Sequence, residues 1–197
     1  LDLRRVDLAT GDVRKAYTVA GANLFALADS GTAALLADLG VGGTPGSISD
    51  VSTTSLAAYQ AYEAGLRLFF AGNVPAAEQR FQAALAADST FAMAAFYYAL
   101  AATAPNAGGP SPRMELAVRL ADRASDRERL LIHAQWAFIN SSPRLAAIAE
   151  TLTVRYPDEL GGYDYLGQGA NLAGNYPAAV PAFREVMGSL LQSDITE

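Results

Sequence analysis

The sequence predicts a mainly α-helical chain in which helical hairpins stack into a solenoid, preceded by a small β-hairpin and one helix. Three observations carry that expectation. Residues 58–91 read as two amphipathic helices broken at Gly72-Asn73. Ala61, Ala64, Gly65 and Leu68, then Ala77, Phe81, Ala84 and Leu85, fall at the i, i+3/i+4, i+7 spacing of a buried stripe. The pattern returns every 34 residues, so that Ala58, Ala92, Asp126 and Leu160 each open another unit. Hydrophobic residues make up 51% of the 197 positions against 17% charged, and alanine, the best helix former, is prominent among them and lets helix axes approach closely. A single hairpin has too little surface to hide on its own, so each must stack on the next.

In chain order, residues 1–41 read as a β-hairpin and a helix. Leu1, Leu3, Val6 and Leu8 lead to a turn at Ala9-Thr10-Gly11-Asp12, and Val13, Tyr17 and Val19 alternate on the return. A helix follows from about Asn23 to Leu39, with Leu24, Leu27, Ala28, Ala34 and Leu35 on one stripe and Gly40 as its stop. Two strands and a helix make a marginal domain, so this piece either docks on the repeats or ends a larger sheet domain. Residues 42–54 (GGTPGSISDVSTT) have the composition of a linker, and Thr54 or Ser55 is placed to cap the first repeat helix. Four units then occupy 58–91, 92–125, 126–159 and 160–193 within a repeat region of 55–197. The second is the most irregular, because Pro105 to Pro112 cannot continue a helix and leaves only a short one from about Arg113 to Ala124.

In the last unit Tyr163, Leu166, Gly167, Ala170, Gly174-Asn175-Tyr176, Ala179 and Phe183 stand where Ala61, Ala64, Gly65, Leu68, Gly72-Asn73-Val74, Ala77 and Phe81 stand in the first. With a small residue midway along the first helix, Gly at the turn, and Ala then Phe in the second helix, residues 55 to 193 resemble the tetratricopeptide repeat. The third unit has Ile132 and Trp136 on the inner stripe and closes at Pro157, with His133 in the place of the small residue. The segment from Val6 to Val41 is similar to the end of the TolB-like domain that precedes tetratricopeptide arrays in some bacterial serine/threonine kinases and adenylate cyclases. Starting at Leu1 inside a strand pattern, the chain reads as part of a longer protein, with any signal or anchor upstream.

Residue chemistry argues against several function classes. The 14 basic residues include one lysine, Lys15, and the net charge is −6, so a footprint for nucleic acid is missing. There is no cysteine, hence no disulfide framework and no thiolate. No apolar run approaches the ~18 residues of a membrane span, so none is expected within this chain. His133, the single histidine, has no second histidine and no cysteine with which to share a metal, and its place on the stripe makes it a structural residue. Gly167-Gln168-Gly169 and the glycines from Gly40 to Gly43 lack the strand-then-helix context of nucleotide loops. Asp122, Asp126 and Glu128 mix with Arg123, Arg127 and Arg129 across a helix junction, the pattern of a salt-bridged surface rather than an acid–base pair. Asn140-Ser141-Ser142 matches a glycosylation sequon but sits where a turn requires such residues anyway. No cofactor, metal or catalytic constellation is expected, and the chain reads as a non-enzyme.

What remains is surface. The repeat resemblance implies that the first helix of each unit lines a concave groove. The lining would be Tyr59, Tyr62, Glu63, Leu66 and Phe69 from the first unit and Met93, Phe96, Tyr97 and Leu100 from the second. Arg127, Leu131 and Phe138 follow from the third, then Asp164, Tyr165, Gln168 and Asn171 from the fourth. Family members that clamp a peptide's terminal carboxylate use Lys, Arg and Asn on these faces, and here Arg127 alone remains as a cation. An aromatic groove for a hydrophobic peptide or helix is expected instead. The chain therefore reads as a protein–protein interaction scaffold, the partner-binding part of a larger signalling protein. A small-ligand sensor or an enzyme with a pocket at the hairpin–repeat junction is the second reading, disfavoured by the empty catalytic search. Val180, Phe183, Val186, Met187, Leu190 and Leu191 cannot all face the preceding unit, so an apolar edge is expected on the last helix. Further repeats or a second copy in a two-fold homodimer would cover it.

Overall fold

A computed structural model describes residues 2–20, 24–40, 53–101 and 111–193. Among them the chain is mainly helical, with nine α-helices and one two-stranded antiparallel sheet. It divides into two compact units, Leu1–Thr54 and Ser55–Glu197. The expected linker lies outside the described residues apart from Thr53 and Thr54, as do Gly42, Gly43, the segment from Pro105 to Pro110, and Asn23.

In the first unit β1 (Asp2–Val6) pairs with β2 (Val13–Thr18), placing Leu3 opposite Tyr17 and Arg5 opposite Lys15. Asp7 organises the connection: its carboxylate accepts the backbone N–H groups of Ala9 (2.9 Å) and Thr10 (3.3 Å) and takes the Arg14 guanidinium at 2.5 Å. Arg14 and, after it, the two N–H groups hold that carboxyl below the usual range. The register slips between Arg5 and Val6, and the expected alternation breaks there: Leu3 and Tyr17 are half-buried, whereas Val6, Leu8 and Val13 are exposed. The helix α1 (Leu24–Leu39) follows, with Phe25 buried, and its Asp38 accepts from both Arg5 (2.5 Å) and Lys15 (2.7 Å), tying helix to strands.

In the second unit α2 (Leu56–Phe70) starts at Ser55, whose hydroxyl accepts the Ala58 N–H. It ends where Gly72 takes φ 78 and the N–H groups of Gly72 and Asn73 reach back to the carbonyls of Phe69 and Leu68. α3 (Val74–Ala87) is capped by Asn73. α4 (Ala92–Ala101) is followed by α5 (Pro112–Leu120), which is capped by Ser111 and runs out in a single 3₁₀ turn, Ala121–Arg123. The remainder is α6 (Asp126–Ile139), α7 (Leu145–Arg155), α8 (Leu160–Leu172) and α9 (Tyr176–Ser193). Neighbouring helices in sequence pack on one another, and α2 meets α4 as α6 meets α8.

Two pairs, α2–α3 and α8–α9, share one device. A methyl group added at Gly65 would stand 2.6 Å from Phe81 Cε1, and one added at Gly167 would stand 2.6 Å from Phe183 Cε1. Both rings therefore lie directly on helix backbone. The pair α6–α7 departs from this plan. His133 was expected at the small position, yet the structure buries Ala134, with Ala137, against Leu145 and Ala149. The positive-φ turn residue is Ser141 (φ 48), one place beyond the glycine register, so α6 runs one residue further and its buried face turns away from His133. Ala149 occupies the position of Phe81 and Phe183.

The helix α4 is buried nearly all round, because α2, α3 and α5 all pack on it. The Tyr62 ring meets Phe91 at 4.9 Å, Tyr97 at 5.9 Å and Phe81 at 6.1 Å between centroids, joining α2, α3 and α4 in one aromatic cluster.

Gly65→Ala must push its methyl into the Phe81 ring and is expected to cost ~1–3 kcal/mol. Gly188→Ala, whose methyl meets nothing within 4 Å on an exposed helical position, is expected to gain about 0.5–1 kcal/mol. Urea denaturation reads both signs. A Gly65→Ala protein as stable as its parent contradicts the close approach.

Candidate binding groove

The residues expected to line the groove separate into two sets. Tyr62, Met93, Phe96 and Tyr165 are buried, with relative exposures of 7%, 4%, 4% and 8%. They are core residues, a correction with a plain cause: α4 is covered on several sides, and Tyr62 and Tyr165 are packed by neighbouring helices. Tyr165 also donates its hydroxyl to Gln135 Oε1 at 2.8 Å, bridging α8 to α6. Tyr59, Leu66, Phe69, Tyr97, Leu100, Leu131, Phe138, Asp164 and Gln168 are half-buried, and Asn171 is exposed. Glu63 meets Arg67 one turn on, at 3.9 Å.

The charges of this face are largely committed. Arg127 pairs with Glu159 at 3.6 Å, and Glu159 itself caps α8 by accepting the Gly161 N–H. Asp164 differs. Burial raises its carboxyl above the usual range, and no donor or cation meets it among the described residues. Burial also pushes the Tyr97 phenol up to about 12 and those of Tyr62 and Tyr165 well above the ordinary value of 10.0, so all three stay protonated at neutral pH.

One residue of the surface escaped the sequence reading. Phe70, the last residue of α2, is 74% exposed, and its ring meets Phe69 at 5.6 Å and Tyr97 at 6.3 Å, both edge-on. The Phe69-Phe70 doublet was the available signal, since one helix face cannot bury both rings.

At the mixed-charge junction Asp122 and Arg123 are exposed, and the charges of the first turn of α6 make structural contacts. Asp126 accepts from Arg129 (2.5 Å), Arg155 (2.7 Å) and the Tyr156 hydroxyl (2.9 Å). Glu128 is buried in a capping box: its carboxylate accepts the Ser125 N–H while the Ser125 hydroxyl accepts the Glu128 N–H. The Ser-x-x-Glu spacing at Ser125 to Glu128 carried that signal in the sequence. No group of three or more His, Cys, Asp or Glu residues that could hold a metal occurs among the described residues. No helix among them is long and apolar enough to cross a membrane. On α9, Tyr176, Val180 and Met187 are exposed, Phe183 and Val186 are half-buried, and the side chains of Leu190 and Leu191 lie outside the described residues.

Comparison with protein-family models, with curated proteins and with solved structures finds no match to this chain.

The buried rings can be probed in two ways. Tyr62→Ala should behave as a core truncation, costing ~3 kcal/mol or more in denaturant titrations; a loss near zero would return Tyr62 to the surface. The second probe is alkali. A folded-state pKa raised to about 12 for Tyr97, against an ordinary 10.0 in the unfolded chain, contributes stability that is complete below pH 10 and lost as pH rises toward 12. Stability measured across that window should fall alongside tyrosinate absorbance, and Tyr97→Phe should flatten the slope.

Proposed function

We propose that the chain is a non-catalytic protein-interaction scaffold of the tetratricopeptide type, part of a larger signalling protein, that takes a hydrophobic peptide or helix along the first helices of its units. The repeat assignment is supported by the two glycine-under-phenylalanine pairs, three repeats apart, and by the matching positive-φ turns at Gly72 and Gly174. The observation that carries the functional reading is Phe70, a large ring left in water beside Phe69 and Tyr97. Clustered rigid rings supply contact area at low entropic cost, which is why they anchor interfaces.

The lining is narrower than the sequence alone implies. It consists of Tyr59, Leu66, Phe69, Phe70, Tyr97 and Leu100, with Leu131 and Gln168 further along. Arg127, held by Glu159, offers no clamp for a terminal carboxylate, so an internal apolar segment is the better ligand. The uncommitted Asp164 favours a basic residue in that segment.

Selection from a phage-displayed peptide library tests this. Enriched peptides are expected to carry apolar or aromatic residues one helical turn apart. Phe70→Ser, at an exposed position, should weaken them more than tenfold with unchanged circular dichroism. Val154→Ser, at a residue 80% exposed on α7, should leave affinity intact. Peptides indifferent to Phe70, or no enrichment, would overturn the reading.

A further inference from the structure

The third helix pair holds a second concavity, on residues other than those of the groove. With Ala149 in place of a phenylalanine, α7 brings no ring over α6. Between the two helices lies a cavity of about 480 Å³, lined by Leu130, His133, Trp136, Asn140, Arg144 and Ile148. The volume falls within the ~300–1,000 Å³ of small-molecule pockets. His133 is thus half-buried against open space, not the satisfied core histidine its sequence position implies.

Three of its polar side chains are uncommitted, while the Asn140 amide donates to the Trp136 carbonyl and the Ser142 hydroxyl accepts the Arg144 N–H. Among the described residues the His133 ring, the Trp136 indole N–H and the Arg144 guanidinium make no hydrogen bond or ion pair. Arg144 stands at the N-cap of α7, where no side chain caps the first turn, so the positive end of the helix dipole reinforces the guanidinium charge. Leu130, Ala137 and Ile148 supply the apolar part of the lining.

We infer that this cavity is a binding site for a small organic carboxylate with an aromatic or branched apolar body. The guanidinium of Arg144 presents paired N–H donors that match a carboxylate, with the indole N–H and an imidazole N–H as further donors. The body of the ligand lies against Leu130 and Ile148. The site shares no residue with the groove and does not depend on the groove's partner.

Trp136 is the single tryptophan of the chain, so its emission reports on the cavity without a label. Titrating the full chain with 3-phenylpropionate is expected to change that emission saturably. 3-Phenylpropanol, which has the body without the charge, and acetate, which has the charge without the body, should each bind at least tenfold more weakly. Arg144→Ala, at an exposed side chain, should lower affinity for 3-phenylpropionate at least tenfold while keeping the parent's thermal transition. Calorimetry repeats each titration without relying on emission. Absence of saturable binding by both methods, equal affinity for acid and alcohol, or unchanged affinity in Arg144→Ala would each overturn the assignment.

Discussion

A phenylalanine ring resting on bare helix backbone sets the geometry of two helix pairs in Ser55–Glu197. Phe81 over Gly65 and Phe183 over Gly167 reach distances that a Cβ would forbid, and so each fixes the separation and rotation of its helix pair. With α2 and α3 held that way, Ala77 and Ala84 reach zero exposure. Phe81 is then placed to meet Tyr62 and Tyr97, which carries the packing on to α4. Short side chains near the contact permit the approach, and the aromatic cluster then passes it from one pair to the next. This accounts for the composition as well, since alanine is both a strong helix former and small enough for such seams.

Much of the architecture was legible because its punctuation is local. Gly72-Asn73 and Gly174-Asn175 announce their turns through glycine's tolerance of positive φ, and Ser55, Asn73, Ser111 and Ser125 are caps that need only their own first turns. The third pair departs from its sequence register by one residue, because Ser141 takes a conformation that glycine normally advertises. That single place exchanges His133 for Ala134 in the core and leaves the histidine lining a cavity. The candidate groove lining was half legible for a different reason. Periodicity assigns one buried stripe to each helix, but α4 has neighbours on several sides, so Met93 and Phe96, off its stripe, are buried as well. Burial on a second face is a property of the stack, and no window within one helix contains it.

The charged residues divide along the same line. In the first turn of α6 the charges are tied into the fold. Asp126 gathers Arg129, Arg155 and Tyr156, Glu128 closes the capping box, and Arg127 ties α6 to the cap of α8 through Glu159. Such exposed pairs are individually worth little. Their effect here is on availability, because a guanidinium held by a carboxylate is a poor receptor for another. Arg144, which lines the cavity between α6 and α7, and Asp164, half-buried on α8, are among the charges that escape these pairings and keep capacity for a ligand.

Packing between sequence neighbours also governs how the chain reaches this state. In Ser55–Glu197 the main helix contacts join elements adjacent or next but one along the chain, so only short loops must close, and folding by local search is fast. During synthesis α2 and α3 can bring Phe81 onto Gly65 before α4 is made, as α8 and α9 do with Phe183 and Gly167, but each pair buries its remaining face only against its neighbour. The two pairs between them, α4–α5 and α6–α7, lay no ring on a glycine among the described residues and are packed by the helices on either side. Emergence of Ser55–Glu197 thus presents a first pair aligned by its own ring, a middle that waits for its successor, and a last pair whose docking completes the stack.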